Sequence, residues 1–236
     1  MTTIAIYSLK GGVGKSTLAV NLAWCAATQS ARRTLLWDLD PQAASSWILG
    51  DGGQHDQAQA VFSRDLAPTK VITATRFDRL DLLPADASLR DLNHLFREID
   101  KKRRLRKIVA DLGDHDIVIL DCPPGLTETA DQVARAADLI VVPVIPSPLS
   151  QRAFAMVERH FGGQVPIMPV HVMVDRRRAL HVQAIERHPD WPAIPMASAV
   201  ENAAARRLPV AVAAPRSPVA AAFTHLWRRI ERQRER

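Results

Sequence analysis

Two lysines, three glycines and two hydroxyl residues fall within eight positions near the start of this chain: Lys10 to Thr17 read K-G-G-V-G-K-S-T, directly after the apolar run Ile4-Ala5-Ile6-Tyr7. The chemistry such a string supports is the holding of a polyphosphate. Glycines let backbone N–H groups converge on phosphate oxygens, a following lysine reaches the β/γ-phosphates, and the hydroxyl after it binds Mg²⁺. Gly14, Lys15 and Ser16 supply the tail of the general pattern G-x-x-x-x-G-K-S/T, while Leu9 stands where that pattern has its first glycine and Lys10 follows it. Two acidic strand ends complete the set. Asp38 and Asp40 close the run T-L-L-W-D-L-D before Pro41-Gln42, and Asp121 closes D-I-V-I-L-D before Cys122-Pro123-Pro124-Gly125. Residues two apart on a strand share a side, so Asp38 and Asp40 are expected to face the phosphates together. A carboxylate such as Asp121 can hold Mg²⁺, usually through its water shell, because Mg²⁺ dehydrates reluctantly and favours oxygen. The plain alternative is an aspartate that caps the following turn. A phosphate loop in the same chain favours the metal role.

The octapeptide resembles the deviant Walker A motif of the ParA/MinD family of ATPases, which is similar in fold to nitrogenase iron protein. That resemblance implies an ATP and Mg²⁺ site built on Lys10, Gly11, Gly12, Val13, Gly14, Lys15, Ser16 and Thr17. It gives Lys15 a role on its own nucleotide and Lys10 a role across a homodimer interface that forms on ATP binding. It further implies that Asp40 orients or activates the attacking water, that Asp38 helps organise the metal with Ser16 and Asp121, and that Pro123-Pro124-Gly125 acts as a nucleotide-sensing switch. Val174-Asp175-Arg176-Arg177 resembles a strand end followed by D-x-R, placing Asp175 and Arg177 near the base and the dimer face. Ile194-Pro195, Val200-Glu201-Asn202 and Leu208-Pro209-Val210 look like further family landmarks, so the resemblance covers nearly the whole chain. One departure stands out. Relatives often carry a DNA-contacting arginine directly after the Ile-Pro pair, and Met196 occupies that position.

These residues need a scaffold that brings strand ends together. Leu18, Leu22 and Cys25/Ala26 recur at helical spacing after the loop, with Ala19, Ala23 and Ala27 between them, which suits a helix packed closely on a sheet. Its N-terminus then adds free N–H groups and the positive end of its dipole to the phosphate site. Strands are expected at Lys70 to Ala74, Leu80 to Leu83, Asp116 to Leu120, Leu139 to Val144 and Val165 to Val174. Alternation with helical segments predicts an α/β fold of the P-loop NTPase kind, a mostly parallel twisted sheet with helices on both faces. Ligands in such folds sit at the carboxyl ends of strands, where the loop and the aspartates fall. No linker divides residues 1–236, so one domain is expected.

The longest apolar stretch, Leu139 to Ile145, is too short to span a bilayer, and the start lacks the pattern of a signal peptide. A cytoplasmic, nucleoid-associated protein is expected. Cys25 and Cys122 show no metal-ligand spacing and read as reduced structural residues rather than cluster ligands. With 31 Lys+Arg against 25 Asp+Glu the chain is basic, with net charge +6. Cations crowd at Lys101-Lys102-Arg103-Arg104 with Arg106-Lys107, and again at Arg206, Arg207, Arg216, Arg228, Arg229, Arg232, Arg234 and Arg236. Such clusters attract nucleic-acid phosphates without reading sequence, or simply form solvated faces. For residues 101–107 both readings stay open. For Arg206, Arg207, Arg216, Arg228 and Arg229 the resemblance favours non-specific DNA.

The last helix carries the stripe Val219, Ala222, Phe223, Leu226, Ile230, which would either dock the helix on the domain or, as in MinD, insert in a membrane. Docking is the preferred reading, since the stripe ends at Ile230 and only polar residues follow. The family likeness therefore implies an ATPase that positions or segregates a cargo such as a plasmid, a chromosome or a large protein assembly, helped by a ParB-like or other stimulating partner. A membrane-cycling regulator of the MinD kind and a metabolic enzyme on the same scaffold are the alternatives. The loop begins near residue 10, leaving no room for a preceding helix-turn-helix domain, so operator binding is not expected.

Overall fold

The computed structural model describes residues 1–51, 57–63, 66–98 and 103–234. Its strands are β1 (Thr2–Ile6), β2 (Thr34–Asp38), β3 (Thr73–Ala74), β4 (Leu80–Leu83), β5 (Ile117–Asp121), β6 (Leu139–Val144), β7 (Ile167–Val174) and β8 (Ala193–Pro195). They form one sheet in the order β3-β4-β2-β5-β1-β6-β7-β8, parallel throughout except where β3 pairs antiparallel with β4. The helices are α1 (Lys15–Gln29), α2 (Ala44–Leu49), α3 (Ala60–Ser63), α4 (Leu92–Glu98), α5 (Arg104–Ala110), α6 (Glu128–Ala136), α7 (Pro148–Phe161), α8 (Ala179–Arg187), α9 (Ser198–Ala205), α10 (Val210–Ala213) and α11 (Pro218–Arg234).

The central strands are buried on both faces, which is why Ile117-Val118-Ile119-Leu120 reads as a continuous apolar run rather than an alternation. Alternate residues feed two cores. Ala5, Leu35, Val118 and Leu120 point to one face with Phe62, Phe96, Leu105, Val133 and Phe161. Ile4, Ile6, Leu36 and Ile119 point to the other with Leu18, Leu22, Phe223 and Trp227. The expected architecture of a mostly parallel sheet covered on both sides is the observed one.

α1 differs from an ordinary surface helix. Leu18, Ala19, Val20, Leu22, Ala23, Cys25, Ala26 and Ala27 are all buried, so it is covered nearly all round. The cover is α11. Its Phe223, Leu226, Trp227 and Ile230 are at most 2 % exposed, and the Trp227 indole N–H donates to Ser30 Oγ at 2.8 Å, just beyond the end of α1. Burying such side chains contributes roughly 1.5–3 kcal/mol each. The apolar stripe of the last helix is thus a docking face, and no described helix is long and apolar enough to cross a membrane.

Three strand expectations shift. The segment Lys70 to Ala74 is mostly not strand: Pro68–Lys70 form a 3-10 turn and only Thr73–Ala74 pair, at the sheet edge. Proline at the first position of that turn presets its φ and removes a donor. β7 starts at Ile167, after Pro166, rather than at Val165. β8 went unpredicted, because three residues ending in proline leave no periodicity to detect.

Candidate nucleotide-binding site

The loop from β1 to α1 forms one wall of a cleft of about 570 Å³ at the carboxyl ends of the strands. Gly11, Gly12, Gly14, Lys15, Ser16 and Thr17 line this wall; Asp40, Pro41 and Gln42 face it from the β2–α2 loop, and Pro123 and Pro124 from the β5–α6 turn. Gly12 (φ +71°) and Gly14 (φ +83°) adopt left-handed backbone, which a side chain would strain. α1 starts at Lys15 with no side-chain cap, so its first N–H groups are left for a ligand. Lys15 is 6 % exposed and its Nζ reaches back to Lys10 O at 3.5 Å.

Asp38 and Asp121 end adjacent strands in register. Asp121 Oδ2 accepts from Ser45 Oγ at 2.6 Å, while its buried Oδ1 has no hydrogen-bond partner among the described residues. Burial raises the Asp121 pKa to about 6, against the Ser16 and Ser45 hydroxyls and the Lys15 charge, which lower it. A buried, unpartnered carboxylate oxygen beside the phosphate-loop serine suits an Mg²⁺ ion or a water bound to it.

Asp38 behaves differently from the expectation. Its Oδ1 accepts from Asp40 N at 3.1 Å, and its Oδ2 accepts from Ser46 N at 2.9 Å and Ser46 Oγ at 2.8 Å. Burial, then the neighbouring Asp121 charge, push its pKa up to about 8. β2 ends at Asp38, so strand alternation stops there and the chain turns. Of the two acids only Asp40 lines the cleft; Asp38 braces the turn and the first turn of α2.

Lys10 does not line this cleft. It borders a separate hollow with Ser8, Pro143, Ser150 and Phe154 on the β6–α7 side. Nor do Asp175 and Arg177 line it. Arg177 donates twice to Asp175, at 2.9 Å from both Nε and Nη2, and this pairing lowers the Asp175 pKa to about 2.

The sequence reading missed a second pocket. It measures about 140 Å³, shares Gly14 and Thr17 with the phosphate cleft, and is walled by Val13, Met173, Pro195, Val200 and Phe223 with Glu201 at its rim. Met173 has φ +54° where the β7–β8 register shifts, a strained position beside the slot. The slot is mostly apolar and meets the phosphate loop through Gly14 and Thr17. The Ile194-Pro195 and Val200-Glu201 landmarks mark its wall, but spacing alone does not bring them to the loop.

The basic clusters divide on inspection. Lys101, Lys102 and Arg236 lie outside the described residues. Arg104 is no surface cation: it is 3 % exposed and its Nε donates to Phe62 O at 2.7 Å. Arg207 is committed within the chain, donating to Trp47 O at 2.6 Å and Gly50 O at 2.5 Å with its guanidinium over the Trp47 ring, which corrects its place among free DNA contacts. Arg206, Arg216, Arg228 and Arg229 are exposed. Arg229 joins Arg176, His225 and Arg232 around a groove of about 560 Å³ between β8 and α11.

Comparison with known proteins agrees with this geometry. A family model described as an AAA domain matches residues 1–159. The sporulation initiation inhibitor protein Soj of Bacillus subtilis (strain 168) is 34% identical over 199 residues, covering 78% of this chain and 77% of Soj. The chromosome partitioning protein ParA of Caulobacter vibrioides (strain NA1000 / CB15N) is 30% identical over 203 residues, covering 78% of this chain and 73% of that protein. In fold, the septum site-determining protein MinD of Pyrococcus horikoshii OT3, solved with Mg-ADP, superposes with a TM-score of 0.79 at 24% identity over 97% of this chain and 95% of that one. The fold and site define a P-loop ATPase with a lysine at the start of its loop. The chain belongs to the ParA/MinD family of such ATPases, on the side of its partition and positioning members.

Proposed function

We propose that this chain hydrolyses ATP to ADP and phosphate, closes into a homodimer on ATP, holds non-specific DNA as that dimer, and so positions a cargo with the help of a stimulating partner protein. The observation that carries the reading is the cleft itself, lined by the phosphate loop and Asp40, with Asp121 buried close to Ser16 and Lys15 at the end of β5, while Lys10 stands outside. In this reading backbone N–H groups of Gly11 to Thr17 and the Lys15 ammonium bind the phosphates, and the apolar slot takes adenine. Ser16 and Asp121 would hold Mg²⁺, with Asp38 bracing the wall behind them; the ion would supply charge neutralisation to the phosphates. Asp40 uses one oxygen to accept from Gln42 N at 3.0 Å, leaving the other to orient the attacking water. Catalysis of this type rests on positioning and charge stabilisation, so Asp40→Ala should slow turnover and spare ATP binding.

A lysine beside its own cleft but outside it is suited to a neighbour's nucleotide, which supports Lys10 as the residue exchanged across the dimer. For DNA, the groove of Arg176, His225, Arg229 and Arg232 has no acid among the described residues of its lining, so a phosphate backbone meets positive or neutral groups there. With Trp227 and its neighbours spent on docking α11, no apolar face is left among the described residues of that helix to insert in a lipid surface.

The test is DNA binding in a salt series with ATP, ADP or no nucleotide, comparing wild type with Lys10→Ala and Lys15→Ala. Binding that requires ATP and both lysines, and weakens steeply with salt, is expected. Binding indifferent to nucleotide and to Lys10 would show only the adhesion of a basic protein.

A further inference from the structure

The turn that leaves β5 is tied down at both ends by side chains from elsewhere in the chain. Tyr7, the first residue after β1, is 1 % exposed and packs edge-to-face on Phe161 with ring centroids 5.2 Å apart. Its hydroxyl donates to Gly125 O at 2.9 Å. Gly125 has φ +101°, a conformation other residues rarely adopt, so its carbonyl is presented by a turn that only glycine makes easily. At the far end Asn93 of α4 accepts through Oδ1 from Thr129 N at 3.2 Å and from Thr129 Oγ1 at 2.8 Å, in the first turn of α6. Pro123, Pro124, Asn93 and Thr129 all face the nucleotide cleft, and Leu126, 40 % exposed, stands between the two ties.

These contacts join three walls of one cleft. Tyr7 continues directly into the phosphate loop, so its hydrogen bond fixes the turn relative to that loop and not merely to β5. Asn93 fixes the other end relative to the β4–α4 wall. We propose that Tyr7 and Asn93 are positioning residues, a two-point clamp that sets the Pro123–Thr129 turn against the phosphate end of the cleft and thereby the geometry needed for hydrolysis. The proposal rests on the ATPase reading above. Neither side chain needs to touch the nucleotide. Burial favours the neutral phenol, since desolvation and the nearby Cys122 and Asp131 all raise its pKa, so Tyr7 stays a donor across the working range.

Tyr7→Phe deletes one hydroxyl and keeps the ring on Phe161; Asn93→Ala deletes the acceptor, and Asn93→Asp restores one. A neutral hydrogen bond of this kind is worth roughly a 2- to 10-fold effect. Tyr7→Phe and Asn93→Ala should each lower kcat by about that factor with ATP and ADP affinities within about twofold of wild type, and Asn93→Asp should recover most of the loss. Hydrogen exchange of the 125–129 amides in nucleotide-free protein gives an activity-independent readout, and both deletions should raise it. Unchanged kcat in both variants, or nucleotide affinities that fall in step with kcat, would overturn the clamp. A wild type that does not turn over ATP removes the ATPase reading instead. The exchange data then decide alone, and unaltered exchange in Tyr7→Phe and Asn93→Ala would end the proposal.

Discussion

Metal-free protein should lose stability as pH rises through neutrality, because a buried pair of carboxylates keeps a proton that the unfolded chain has already released. The Asp38 pKa is pushed up to about 8 and the Asp121 pKa to about 6, in both cases chiefly by burial. Unfolded, both titrate near about 4. The folded chain therefore binds more protons than the unfolded chain between about pH 4 and about pH 8, and its stability falls with rising pH across that window. From about pH 6 to about pH 7.5 the excess approaches one proton, held by the Asp38–Asp121 pair, and at ~1.4 kcal/mol per pH unit this amounts to a loss of about 2 kcal/mol. Urea unfolding in EDTA at the two pH values measures it.

Buried histidines act in the opposite sense. Desolvation lowers the pKa of His171 and His181, so the folded chain resists protonating them and gains stability as pH rises through their titration. The quantity to compare is thus the difference in slope between wild type and Asp38→Asn. The variant keeps both histidines, and the hydrogen bond it loses to Ser46 or Asp40 costs the same at every pH and cancels. Equal slopes in the two proteins would refute the assignment of the excess proton to the Asp38–Asp121 pair.

Other consequences are direct. Trp227→Ala should cost ~3–5 kcal/mol in urea unfolding, since it empties a fully buried site and strands Ser30 Oγ; a loss under about 1 kcal/mol would mean that α11 is not docked as described. Arg207→Ala should destabilise by about 1–3 kcal/mol through the loss of its bonds to Trp47 O and Gly50 O, while salt-dependent DNA affinity stays within about twofold; a large affinity loss at unchanged stability would return it to the DNA surface. Both cysteines should resist a maleimide at neutral pH until denaturant is added, because burial pushes the Cys25 thiol up to about 12 and Cys122 well above its ordinary value; rapid labelling of native protein would contradict this.

Much of this molecule was legible before its structure. The phosphate loop, the strand before it and the helix after it depend on local rules: glycine where φ is positive, apolar runs where a strand is covered on both faces, a hydroxyl after the lysine. Those rules also marked Asp121 as a strand-end acid and identified the parallel sheet from alternating elements. Contacts between distant residues were not legible. Asp38 sits two residues before Asp40, and strand periodicity predicts a shared side, yet β2 stops at Asp38 and its carboxylate is spent on Ser46 and Asp40. Arg104 and Arg207 read as surface cations in a run of charges, but each has found backbone carbonyls far along the chain.

Residue type and spacing determine which chemistry is on offer, because backbone freedom and periodicity are properties of a few neighbours. Which groups meet is decided by sheet order. β1 lies between β5 and β6, so Tyr7 comes within hydrogen-bond reach of Gly125 across 118 positions. The apolar slot arises in the same way, because Met173, Pro195 and Phe223 reach the phosphate loop only once β7, β8 and α11 have packed beside α1. Burial then does what no linear pattern encodes: it pushes up the pKa of two neighbouring carboxylates and leaves one oxygen of Asp121 without a hydrogen-bond partner among the described residues.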